Sequence, residues 1–260
     1  MADLPLHLPD QLGERLSSAL DIEGKIPRTL EALGPVAGRD VLLLDSGDGI
    51  RAGQLRELGA RVSLANVGPA GFGVPADSAD VVVSLWSSLR GAAPLEIVET
   101  ERVLRPGGRL LVLHDYGRDD VSHLGADRPE YRLWSHKSGP FLGGGFKVRV
   151  LHCFWTFDSM TDCADFLVTA FGDAGRAVAS GLRRPRLIYK VAIYHRTFGE
   201  LASVAGNAVS APETGAAEAG GEEAGGAMEA GGAKEVGGAK EAGGANLAGA
   251  ARKGAAKAAG

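Results

Sequence analysis

Seven consecutive residues, His114-Asp115-Tyr116-Gly117-Arg118-Asp119-Asp120, gather an imidazole, three carboxylates and a phenol. Such a set can orient a nucleophile and accept its proton, because imidazole titrates near neutrality and the other groups hydrogen-bond. His114 is the candidate base, with Asp115 and Tyr116 as orienting groups. A second stretch, Asp45-Ser46-Gly47-Asp48-Gly49, has glycines two apart just before a helix-like segment. Glycines let backbone approach a ligand closely, and a helix N-terminus offers free N–H groups. A third, Ser84-Leu85-Trp86-Ser87, supplies hydroxyls and an indole able to stack on a planar group, although a Trp beside a sheet also serves as core. His114, Asp115, Asp119, Asp120 and His123 are of types that suit a divalent cation, but their spacing fixes no ligand geometry, so no metal is expected. The plainer reading of 114–120 is a polar loop with local turn bonds, His114 packing at a strand end.

The elements that must carry these residues follow from periodicity. Residues 9–34 carry helical spacing, with Asp10 as a cap, Leu12, Leu16 and Leu20 on one face, and a second short helix from about 27 to 33. Short apolar runs at 41–44, 61–65, 80–85 and 109–114 read as strands buried on both faces. Helices at 50–58 and 94–104 lie between them, and Arg105-Pro106-Gly107-Gly108 makes a tight turn. Residues 146–157 read as a long strand whose aromatic end, His152 to Phe157, suits a core. Residues 158–182 read as one or two helices with a break near Gly172, and 186–196 as a final strand. Strands alternating with helices predict a parallel sheet covered on both faces, with ligands beyond the carboxyl ends of the strands.

Composition narrows the possibilities. The chain has 260 residues, a formal net charge of −4 and 45% hydrophobic residues. That supports a sizeable core and does not suggest nucleic acid as a partner. No apolar run approaches the length of about 20 residues that a membrane span needs, and no signal peptide is apparent at the N-terminus. Two cysteines form no disulfide framework, which fits a cytoplasmic protein. Beyond residue 199 the chain changes character. Hexads at 222–227, 228–233, 234–239 and 240–245 all end in Gly-Gly-Ala, and residues 206–260 contain no aromatic residue. Each glycine costs a helix about 1 kcal/mol, and Ala cannot fill a β-helix core. The expected organisation is therefore an N-terminal helical segment (1–38), an α/β domain (39–199) and a disordered Ala/Gly-rich tail (200–260).

Three segments together resemble the class I S-adenosylmethionine-dependent methyltransferases. They are the strand–glycine turn–helix–strand run of 39–66, the stretch Val74-Pro75-Ala76-Asp77-Ser78-Ala79-Asp80-Val81-Val82-Val83-Ser84-Leu85, and Glu101-Arg102-Val103-Leu104-Arg105-Pro106-Gly107-Gly108-Arg109-Leu110. The resemblance implies a Rossmann-like three-layer α-β-α sandwich with a mostly parallel sheet, S-adenosylmethionine as cofactor, and a small-molecule acceptor. The ten-residue spacing from Gly49 to Gly59 sets the register, so Gly47 and Gly49 match the family's second and third glycines. Asp45 then stands where the first glycine belongs, and Leu43 where the family has an acid. Asn66 replaces the ribose-binding acid and keeps hydrogen-bonding capacity without the charge. Asp77 is the one substitute for the adenine-contacting acid, and Ser84 and Trp86 follow the strand that faces cofactor and acceptor. Asp45, Ser46, Gly47, Gly49, Asn66, Asp77, Ser84 and Trp86 are thus the implied cofactor residues, and His114, Asp115 and Tyr116 the catalytic ones. Only residues 67–74 separate Asn66 from Pro75, whereas a helical crossover needs about 10–12 residues, so the sheet is expected to lack one edge strand. These departures leave an alternative, a catalytically inactive methyltransferase-like protein that binds or regulates a protein partner. A nicotinamide site fits less well: Gly47-x-Gly49-x-x-x-Gly53 departs from the dinucleotide fingerprint, and no acid ends the second strand.

Overall fold

A computed structural model describes residues 4–46, 49–125 and 129–199, all within the first of the two units into which the chain divides. Gly47 and the stretch 200–260 lie outside the described residues. Two helices, α1 (Asp10–Ala19) and α2 (Lys25–Leu33), precede the alternating region. Pro9, not Asp10, occupies the N-cap of α1, and Asp10 is its first helical residue. There follow β1 (Asp40–Leu44), α3 (Ile50–Glu57), β2 (Arg61–Ala65), β3 (Ala79–Leu85), α4 (Pro94–Val103) and β4 (Leu104–Asp115). A single 3-10 turn (Val121–His123), α5 (Pro129–Trp134) and α6 (Pro140–Gly143) lead to β5 (Lys147–Thr156), α7 (Met160–Gly181) and β6 (Arg186–Thr197). The helix 160–181 is broken at Gly172 (φ 58°, ψ −128°), a conformation open to glycine because it has no Cβ.

The six strands form one sheet in the order β2-β1-β3-β4-β6-β5. The pairs β1–β2, β1–β3 and β3–β4 are parallel, while β6 runs antiparallel to both β4 and β5. This is a Rossmann-like three-layer α/β sandwich with a mostly parallel sheet. The central strands are apolar on both faces, as a sheet covered by helices requires. Leu43, Val83, Leu111 and Leu113 pack with α1, α2, α3 and α7 through Leu16, Leu30, Leu55 and Phe166. Leu42, Val82, Leu110 and Val112 pack on the other face against Val103, Trp134 and Phe141 of α4, α5 and α6.

One detail departs from expectation and one agrees with it. The 105–108 segment is a bulge within β4 and not a turn before it: Leu104 already pairs with Ala79, and the register then jumps to Val81 and Arg109. Such an insertion bends a strand without ending its pairing. The second concerns 66–78, which contains no helix or strand. This stretch replaces the crossover with an irregular descent across the sheet face, Phe72 buried among the α4-side core. The Phe72 N–H donates to Glu99 Oε1 (2.9 Å), and Arg102 donates to the Val74 carbonyl (2.8 Å). Gly71 has φ +91°, and a Cβ there would run into the Glu99 carboxylate. The Arg102 guanidinium holds that carboxyl down at about 2. β2 is consequently the edge of the sheet, with Leu64 39% exposed.

Candidate functional site

The parallel strands end together at Asp45, Asn66, Trp86 and Tyr116. Strand order reverses at β1, which has β2 on one side and β3 on the other, and ligands of such folds sit in the crevice between β1 and β3. The backbone is unusual at that crevice. Asp45 (φ 49°) and Trp86 (φ 53°), the residues directly after β1 and β3, are both left-handed without being glycine. Non-glycine residues held there cost about 1–3 kcal/mol each and cluster at ligand sites.

Asp45 is fixed by two bonds. Its N–H donates to the Ala65 carbonyl (2.7 Å), and its Oδ1 accepts the Val67 N–H (2.7 Å). The turn therefore keeps a glycine-like path, and the carboxylate is folded against the β2 exit. Ser46 is buried beside it. Gly49 is exposed and precedes α3, whose N-terminus carries no side-chain cap. Asn66 is exposed at the end of β2. A nucleoside-sulfonium cofactor needs close backbone approach after β1, free N–H groups and a hydrogen-bonding side chain at the end of β2. Asp45, the start of α3 and Asn66 fit those needs, with a neutral amide at the last position.

Two expected cofactor residues are placed otherwise. Asp77 precedes β3, and its N–H donates to the Arg102 carbonyl (3.1 Å) at the end of α4. It is exposed at the opposite end of the sheet from Asn66. It cannot substitute for the adenine-contacting acid, because the crossover reaches β3 from its N-terminal end. Ser84 does lie at the correct end but is fully buried, its Oγ donating to the Ser88 carbonyl (2.9 Å). It shapes the 84–88 turn.

Trp86 points toward β4 and β6. Its N–H donates to the Leu113 carbonyl (2.8 Å), and its Nε1 donates to Tyr189 Oη (2.8 Å) and Asp115 Oδ1 (3.1 Å). Tyr189 also donates to Asp115 Oδ1. Burial raises the Tyr189 hydroxyl well above the ordinary phenol range, so it stays a protonated donor. Tyr189, on β6, carries no motif. Its inward position in an alternating strand was the only sequence signal for it.

Asp115 and His114 occupy opposite faces of β4, as successive strand residues must. Asp115 faces a cavity of about 510 Å³, together with Tyr116, Tyr131, Tyr189 and the N-terminal residues Pro5 and Leu6. His114 is excluded from it. The imidazole is 1% exposed and packs 4.8 Å from Trp134 and 6.4 Å from Phe141, ring centre to ring centre. Burial, reinforced by Arg90, pushes its pKa down to about 3, and its Nε2 has no hydrogen-bond partner among the described residues. His114 is therefore a neutral core residue and not the base of the cavity. Strand alternation decided against it.

The loop after β4 forms one wall of the cavity. It is pinned to β6 by backbone and side-chain bonds, among them one from Lys190 Nζ to the Arg118 carbonyl (2.9 Å). Tyr116 N–H donates to the Lys190 carbonyl (2.9 Å) and Asp120 N–H to the Ile188 carbonyl (3.2 Å). The Lys190 and Ile188 N–H groups donate back to Asp119 Oδ2 (2.7 Å) and Asp120 Oδ2 (2.8 Å). Burial raises the Asp119 pKa, and the Lys190 and Ser122 N–H groups partly offset it. Both carboxylates are thus engaged by backbone, and no three metal-ligating side chains lie together among the described residues. Cys153 and Cys163 are buried core thiols, pushed up to about 12 and 11. No described helix is long and apolar enough to cross a membrane.

No protein-family model matches the chain, and no curated protein matches it. Solved structures do. An S-adenosylmethionine-dependent methyltransferase from Aquifex aeolicus is 15% identical over 73% of this chain and 98% of its own, with a TM-score of 0.42. The [4+2]-cyclase SpnF is 16% identical over 67% and 81%, with a TM-score of 0.38. A phosphoethanolamine N-methyltransferase from Haemonchus contortus, solved with phosphomonomethylethanolamine and S-adenosylhomocysteine, is 14% identical over 65% and 51%, with a TM-score of 0.37.

Proposed function

We propose that this protein is an S-adenosylmethionine-dependent methyltransferase acting on a small-molecule acceptor. The reading rests on the cavity of about 510 Å³ at the end of β4, on the same edge of the sheet as the crevice where strand order reverses, with β3 between β1 and β4. Pockets of roughly 300–1,000 Å³ suit small organic ligands. In this reading Asn66, Ser46 and the backbone of Asp45 and Gly49 hold the cofactor over the ends of β1 and β2. The bound cofactor supplies an electrophilic methyl group. The chain supplies position: Asp115 accepts a hydrogen bond from the acceptor's hydroxyl or amine, Tyr189 and Trp86 hold that carboxylate still, and Tyr116 walls the acceptor in. Methyl transfer depends chiefly on such alignment. Asp115 takes the role that the sequence pattern gave to His114.

Calorimetric titration of the full chain with S-adenosylmethionine and S-adenosylhomocysteine tests the reading. Micromolar binding, about −8 kcal/mol, is expected. No heat at millimolar ligand overturns it. The second reading, an inactive methyltransferase-like binding protein, draws on the Asp45 carboxylate and the Trp86 indole, both committed to partners inside the protein. It predicts no heat with either ligand.

A further inference from the structure

We propose that the cavity beyond β4 takes a flat organic anion: an apolar ring body with an acidic group at one end and a hydroxyl or amine at the other. This rests on the proposed function for the word acceptor, though not for binding itself. The two ends of the cavity differ in chemistry. At the inner end stand Asp115 and the buried Tyr189, bonded to each other and to Trp86. A carboxylate fixed this way accepts hydrogen bonds, so it pairs with a donor on the ligand. At the outer end are Arg118, Arg132 and His123, all exposed. Among the described residues neither Arg118 nor Arg132 makes an ion pair. The Arg118 guanidinium instead lies 5.9 Å from the centre of the Tyr116 ring. Cation and ring leave the charge available to an anion that reaches the mouth.

Between the ends Tyr116 and Tyr131 are half-buried, Val121 and Leu124 are buried, and the polar pair Asp119 and Ser122, bonded to each other, also lines the cavity. Tyr116 and Tyr131 contribute rings, Val121 and Leu124 aliphatic surface. Flat apolar surface of that kind favours a planar body, and the bonds from β6 hold one wall in place before any ligand arrives. Charge order, inner acceptor and outer cation, then fixes the ligand's direction.

The test uses fluorescent 6-hydroxy-2-naphthoate with the full-length chain. Its comparators are the neutral 6-hydroxy-2-naphthamide and the hydroxyl-free 2-naphthoate. The hydroxy acid is expected to bind at least tenfold more tightly than the amide and several-fold more tightly than 2-naphthoate. The double variant Arg118→Ala/Arg132→Ala should remove the preference for acid over amide, with its melting temperature checked against the parent. Equal binding of acid and amide, persistence of the preference in the folded double variant, or no binding of the acid at millimolar concentration overturns the proposal. Titration with S-adenosylhomocysteine separates the two claims. Naphthoate selectivity without heat from that ligand upholds the site and removes the methyltransferase reading. Heat without selectivity does the opposite.

Discussion

The ligand edge of the sheet has two unlike halves. At the β1–β2 half the chain is thin: the crossover is an irregular descent, β2 is an open edge, and Asn66 stands exposed where a charged partner would be expected. At the β4–β6 half the chain is thick. The loop after β4 is bonded to β6 by backbone and carboxylates, and Trp86, Tyr189 and Asp115 close a buried polar network. In the proposed function one half holds the cofactor by a few backbone contacts and the other holds the acceptor. Losing an edge unit removes no strand from the middle of the sheet, so the core on both faces survives the loss.

That contrast can be broken most forcefully at Trp86. Trp86→Ala removes a buried indole and two hydrogen bonds at the joint between the halves. It should cost about 3–5 kcal/mol of stability, measured by urea unfolding. A loss under 1 kcal/mol would mean the network does not hold the thick half together.

Acid should expose the same half. His114 has a folded pKa near 3, below its unfolded value of about 6.5, so the unfolded chain binds the extra proton first. The neutral core imidazole therefore contributes no penalty above pH 7. Its stability is lost as pH falls below 6.5, by about 1.4 kcal/mol per unit until the folded group titrates. Unfolding curves from pH 7 to 4 for the parent and His114→Leu should converge at neutral pH and diverge in acid, the variant being the more stable there. Parallel curves would show the ring to be solvated.

Tyr189→Phe is a gentler cut. Trp86 Nε1 keeps Asp115 as a partner, so about 1 kcal/mol of stability should be lost. Cavity-ligand affinity should fall with it. Unchanged affinity would separate the network from the site. The smallest effect belongs to the thin half. Asn66→Asp would restore a charge-assisted bond, and S-adenosylhomocysteine should bind about fivefold more tightly, equivalent to about 1 kcal/mol. No change would mean the cofactor does not reach the end of β2.

Much of the fold was legible because its signals are local. Runs such as Val41-Leu42-Leu43-Leu44, the break at Gly172 and the short interval after Asn66 are read within a few residues. The small helices between 121 and 143 were not, since each is too short to show a period. The site was legible only in part. The motifs located the strand ends correctly, and Asp115 and Tyr116 do line the cavity. Asp77 was misassigned because its spacing from the strand was weighed and its end of the strand was not.

The sequence by itself determined the alternation of elements, the break at Gly172 and the short, helix-free link between β2 and β3. Hydrophobic period, glycine position and loop length suffice for each. Only the tertiary structure decided which side chains meet. Trp86 and Tyr189 are 103 residues apart and touch because β6 runs antiparallel beside β4. His114 and Asp115 are neighbours in the chain, yet one is sealed behind Trp134 and the other faces the cavity. A strand turns adjacent residues to opposite faces, and what covers each face is set by elements far away in sequence.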